Sequence, residues 1–128
     1  MRAIVSMPAN RLSAKVEDVL KHISYSHFRN QGQNVTEFEV RSPCRVLVTI
    51  ENLTRDQVGF PFRSRTRVES AFEVRRLVGS QETDDTLLPC ANTLVREIVK
   101  SLPSGSWKLL GSRRRGSVEE TVLSSADL

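Results

Sequence analysis

VTEFEVRSPCRVLVTIE, residues Val35 to Glu51, alternates apolar and polar side chains twice, with one break between. In the first half Thr36, Phe38 and Val40 share one face, and Glu37, Glu39 and Arg41 share the other. A period of two is that of a strand with one face in a core and one in water. Ser42-Pro43 interrupts it, because proline has no N–H to give a sheet ladder. Val46, Val48 and Ile50 then resume the period. Two antiparallel strands joined by a tight turn are the economical solution. A sheet with one apolar face needs a cover, and the flanking segments supply one.

Upstream, from about Pro8 to Ser24, Leu12, Val16, Val19, Leu20 and Ile23 recur at spacings of three and four. That is the apolar stripe of a helix, with Lys15, Glu17, Asp18 and Lys21 on its wet side. The polar segment from Tyr25 to Asn34 reads as a loop. Downstream, Thr66 to Val78 reads as a third strand, with Val68, Phe72, Val74 and Val78 inward. Thr83-Asp84-Asp85-Thr86 offers N-cap residues and acid for the positive end of a helix dipole. The following helix buries Leu88, Ala91, Leu94, Val95, Ile98 and Leu102. Pro89 places its start near Thr86, since proline suits a first turn. Trp107 to Leu110 and Val118 to Leu123 are weaker strand candidates.

Both helices have one apolar stripe and every strand has one apolar face. All are buried together only if the helices pack on one face of a curved antiparallel sheet of three to five strands. The expected fold class is α+β, a single domain over residues 1–123 with a frayed tail at 124–128. Phe38, Val48, Phe72, Val74, Leu94 and Ile98 are expected to meet in its core.

The chain has 128 residues, 38% of them apolar and 27% charged, as in an ordinary soluble domain. No apolar run approaches the roughly 18 residues of a membrane-spanning helix. The start, MRAIVSMPANRLSAK, lacks the apolar stretch of a secretory signal. Neither secretion nor membrane insertion is expected. Cys44 and Cys90 have no CxxC spacing, and His22 and His27 are the only histidines. Two buried, reduced, inert thiols are expected, and no metal site.

The search for chemistry finds little. Glu37 and Glu39 lie on the wet face of a strand, where cross-strand arginines such as Arg75 neutralise them. Asp84 and Asp85 start a helix, and Glu119 and Glu120 lie in a charged tail. His22 and His27 flank a helix end, where imidazolium favours the negative pole. Glycine-rich phosphate loops, HExxH and a Ser-His-Asp neighbourhood are all missing. The expectation is a non-enzymatic protein with no catalytic residues, no cofactor and no small-molecule ligand.

Charge is concentrated instead. Of a net +4, Arg55, Asp56, Arg63, Arg65 and Arg67 supply +3 and the run Arg113-Arg114-Arg115 another +3, leaving −2 for the remainder. The first group belongs to RDQVGFPFRSRTRVES, Arg55 to Ser70, which also carries Val58, Phe60 and Phe62. A connection of 13 residues, Leu53 to Arg65, separates strands that a turn of two to five could join. Long loops of this kind serve function, and aromatics beside arginine are the composition of a protein–protein contact. Val58, Phe60, Phe62, Arg63, Arg65 and Arg67 are the expected subunit interface. There Arg63 and Arg65 would pair with acids such as Glu37 and Glu39 or Glu119 and Glu120. Arg113, Arg114 and Arg115 are a second contact, for nucleic acid or an acidic partner.

The order of elements, with PCRVLVTIE, RVESAFEVRRLV and LLPCANTLVREIVKSL as central strands and second helix, resembles bacteriophage tail terminator proteins. The resemblance spans most of the chain, although the last strand here is short. It implies a small structural subunit in a homo-oligomeric, hexameric ring, whose partners are itself and other neck or tail proteins. The alternative is an RNA-binding domain. Counting RAIVS as a strand gives β-α-β-β-β-α, which resembles ribosome hibernation factors. Reading from the first helix gives the α-β-β-β-α of double-stranded-RNA-binding domains. Those place lysines where this chain has Asp84 and Asp85.

Overall fold

A computed structural model of the chain describes residues 1–53, 55–59 and 63–110. The elements are β1 (Arg2–Val5), α1 (Ala9–His22), β2 (Ser26–Gln31), β3 (Val35–Ser42), β4 (Val46–Asn52), β5 (Arg55–Gly59), β6 (Arg63–Arg67), β7 (Ser70–Arg76), α2 (Asp84–Ser101) and β8 (Trp107–Leu110). Six of these strands form an open antiparallel sheet in the order β2-β3-β4-β7-β1-β8, and β5 and β6 pair separately. With both helices packed against the sheet, the fold is α+β.

The pairing of β3 with β4 runs from Val35↔Glu51 to Val40↔Val46, as the alternation predicts. β7 continues it on the far side of β4, from Val46↔Arg76 to Asn52↔Ser70. These registers put Phe38, Val48 and Val74 in one row across the sheet, and Ile50, Phe72 and Ala3 in the next. All six are completely buried. α1 adds Leu12, Val16 and Leu20 to the same core, and α2 adds Leu87, Ala91, Leu94 and Ile98. The six predicted core residues are all among them.

Two residues past the end of α1, Ser24 has a φ of 60°, the left-handed conformation that closes a helix C-terminus. There Ser24 N–H donates to the Lys21 carbonyl at 3.2 Å and Tyr25 N–H to the Leu20 carbonyl at 2.9 Å. α2 begins two residues earlier than Pro89 suggests, at Asp84, with Thr83 as its N-cap. Pro89 therefore stands in the second turn, where it withholds an N–H from the Asp85 carbonyl; Asp85 is exposed, so water can satisfy that group. The earlier start buries Leu87 and leaves Leu88 half-buried.

Three further expectations are corrected. The segment expected as a loop from Tyr25 contains β2, the edge strand that brings the main sheet to six. The expected third strand is two elements, β6 and β7. Its outer positions are not inward: Val68, between the two strands, is 42% exposed, and Val78 is 91% exposed. Val78 lies in the turn closed by Ser80 N–H on the Leu77 carbonyl at 3.1 Å, beyond the reach of the sheet. Val118 to Leu123 and the tail at 124–128 lie outside the described residues.

Candidate interaction surface

β4 and β7 are neighbours in the sheet over seven residue pairs. Nothing in their pairing requires a long connection, yet the chain leaves at Leu53 and returns at Glu69. Leu53 N–H donates to the Glu69 carbonyl at 2.9 Å and closes the base of this excursion. Within it the register is Arg55↔Arg67, Asp56↔Thr66, Gln57↔Arg65, Val58↔Ser64 and Gly59↔Arg63. The expected loop is thus largely a two-stranded antiparallel ribbon.

β5 contributes Arg55, Asp56, Gln57, Val58 and Gly59 to these pairs, and β6 contributes Arg63, Ser64, Arg65, Thr66 and Arg67. Of the expected interface residues, Val58 lies on β5 and Arg63, Arg65 and Arg67 lie on β6. Phe60 and Phe62 lie outside the described residues, as do Arg113, Arg114, Arg115, Glu119 and Glu120.

On the face of the main sheet opposite the helices, charges are internally matched. Arg2 meets Glu51 at 3.5 Å, Arg41 meets Glu39 at 3.0 Å and Arg75 meets Glu73 at 3.8 Å. Arg75 therefore serves its own strand rather than Glu37 or Glu39. Among the described residues, Glu37 is the carboxylate on this face that has no cationic partner. Phe28 is 52% exposed there, with the Arg41 guanidinium 4.4 Å from its ring centroid.

β2 escaped sequence reading because the face it turns to the core is polar. The β2–β3 register puts His27 opposite Val40, Arg29 opposite Phe38 and Gln31 opposite Thr36. Arg29 replaces an apolar residue by spanning the gap to α1. Its Nη1 donates to Glu17 Oε2 at 3.0 Å, its Nη2 donates to Gln31 Oε1 at 3.0 Å, and its guanidinium lies 5.6 Å from the Phe38 centroid. The Arg29 hydrogen bond, with Lys21 nearby, holds the Glu17 carboxyl below its usual range. His22 is the last residue of α1, as expected. His27 instead lies on β2, edge-on to Phe38 at 6.0 Å, with Nδ1 2.8 Å from the Tyr25 carbonyl oxygen.

Cys44 and Cys90 form a disulfide, which corrects the expected pair of free thiols. Cys44 sits at the foot of β4 just after Pro43, and Cys90 in the second turn of α2, with Cα atoms 6.2 Å apart. That is within bridging distance, and a sequence separation of 46 gives no hint of it. Tyr25 backs the bridge: its hydroxyl donates to the Cys90 carbonyl at 3.0 Å. Burial pushes the Tyr25 phenol pKa upward, against an opposing hydrogen bond from Thr93.

The α1–α2 crossing leaves a cleft lined by Lys15, Asp18, His22, Glu97 and Lys100. Its cations are already engaged, Lys15 with the Ser101 carbonyl at 3.3 Å and Lys100 with Glu97 at 3.5 Å. Among the described residues no three His, Cys, Asp or Glu side chains are placed to hold a metal ion. No described helix is long and apolar enough to cross a membrane. No known protein family matches this chain, and a search of curated proteins finds none similar to it. Its chemistry has to be argued from the ribbon and the sheet.

Proposed function

We propose that this protein is a non-enzymatic assembly subunit, a tail terminator or neck protein that builds a homo-oligomeric ring in a virion. The observation that supports this reading most is the ribbon. β4 and β7 are adjacent and fully paired, so the excursion from Leu53 to Glu69 brings no strands together. The inner faces of β1, β3, β4, β7, α1 and α2 already form one closed core. A two-stranded extension that its own fold does not need is a device for reaching a neighbour.

The docking elements are Val58 and the aromatic pair Phe60 and Phe62 between the two strands. An aromatic anchor buried at a subunit contact contributes about 2 kcal/mol or more. Among the described residues β2 and β8 are the edge strands of the sheet, and a sheet edge offers backbone groups to an adjoining subunit. The RNA-binding alternative has less behind it on the helices. Asp84 and Asp85 occupy the first turn of α2, where a phosphate grip would need lysine. The test is the mass in solution, by sedimentation velocity, of the wild type and of Phe60→Ala/Phe62→Ala. The account expects an oligomer that the double substitution weakens by roughly a thousand-fold, the equivalent of two such anchors. A wild type that is monomeric at every concentration would refute it.

A further inference from the structure

We infer that β2 pairs antiparallel with β2 of a second copy of this chain, across a two-fold axis at Phe28. The inference rests on the assembly reading, because a pairing of so few residues is too small to hold two copies together alone. It forms between copies that the ribbon already gathers.

β2 is the edge strand beside β3, and among the described residues nothing pairs with its outer side. Ser26, Phe28, Arg29, Asn30 and Gln31 are exposed, and His27 is half-buried. Edges that must stay single are guarded by proline, by lysine or by shortness. SHFRNQ is six residues long and contains neither proline nor lysine. Its one inward charge, Arg29, already has the Glu17 carboxylate at 3.0 Å, so a strand laid beside it covers no unpaired ion. The register shift at Ser26/His27 falls at the start of the strand and leaves the rest regular.

Phe28 decides what covers this edge. It is 52% exposed, the one exposed aromatic among the described residues, with the Arg41 guanidinium 4.4 Å from its ring centroid. A two-fold axis normal to the sheet keeps the helices of both copies on one side and sets like-facing residues opposite each other. With that axis at Arg29, two guanidinium groups oppose each other, which is unfavourable. With the axis at His27 or Asn30, only three residues of each strand overlap. With the axis at Phe28 five overlap: Phe28 meets Phe28, Arg29 meets His27, and Asn30 meets Ser26. Aromatic pairs across strands are favourable. The strand thus fits itself in one register, and the two six-stranded sheets become one of twelve. An isologous contact closes on itself, so it joins one ring to another and does not extend a ring.

The experiment is disulfide trapping in the full chain. Cys44 and Cys90 are bridged to each other, so an introduced cysteine supplies the free thiol. Position 28 lies on the axis, with Cβ about 5 Å from its counterpart. Position 30 lies two residues off it, about 14 Å from its counterpart. Under mild oxidation at about 10 μM protein, Phe28→Cys should form a disulfide-linked dimer roughly a hundred-fold faster than Asn30→Cys. That is the ratio of a millimolar local concentration to the bulk one. Ser26→Cys/Asn30→Cys keeps Phe28 and should link as fast, although neither single variant does. Sedimentation velocity before oxidation reports assembly separately. An oligomer in which neither Phe28→Cys nor the double variant links faster than Asn30→Cys overturns the inference and leaves the assembly reading intact. A monomeric wild type overturns both.

Discussion

Phe38 and Phe72 show how unequal two completely buried phenylalanines can be. Phe72 lies on β7 in the middle of the sheet, with β4 and β1 on either side. Phe38 lies on β3 beside the edge strand, and its ring is shared with His27 and Arg29. Phe72→Ala should cost roughly 3–5 kcal/mol, because a strand at the sheet centre cannot collapse around the cavity. An unchanged urea midpoint for that variant would contradict the inward assignment of β7. Tyr25 provides a pH signature. Its phenol pKa is raised by burial, so the folded state keeps its proton after the unfolded state has begun to lose it near the ordinary value of 10.0. Stability should fall as pH rises above about 10, and Tyr25→Phe should flatten that alkaline limb while costing about 1 kcal/mol at neutral pH for the lost bond to the Cys90 carbonyl. Urea unfolding between pH 8 and 11 measures both. Residues whose partners lie within the same period were legible in the sequence, as Phe38, Val48 and Val74 were. Cys44 and Cys90 were not, since their meeting is decided by how α2 crosses the β3–β4 turn.

Among the elements, those with clean apolar periodicity appeared where the sequence placed them: α1, β3, β4, α2 and the short β8. β2 did not, because SHFRNQ turns His27, Arg29 and Gln31 toward the core face and pattern reading sees only polarity. The ribbon was half legible. Its length and its arginines stood out as an over-long connection, but the pairing of β5 with β6 within it was not legible in the sequence. The disulfide acts at this scale by tying the β3–β4 turn to α2. Closing a loop of 46 residues restricts the unfolded chain by roughly 4 kcal/mol in the chain-entropy description. Cys44→Ala/Cys90→Ala, or reduction of the wild type, should therefore lower stability by about 2–4 kcal/mol in denaturant unfolding. Equal stability with and without reductant would show that the bridge adds nothing to the fold.

At the scale of the whole molecule, the described residues outside the ribbon form an open six-stranded sheet and two helices around one core. The two strands between Leu53 and Glu69 are then free to serve contacts with other molecules, and the proposed assembly role rests on that division. The direct measurement is sedimentation velocity on a variant in which residues 54–68 are replaced by a short Asn-Gly turn joining β4 to β7. The account predicts that this chain remains folded, with the circular dichroism and cooperative unfolding of the parent domain, and sediments as a monomer while the wild type sediments as an oligomer. A ribbon-less chain that still assembles like the wild type, or a wild type that never assembles, would contradict it.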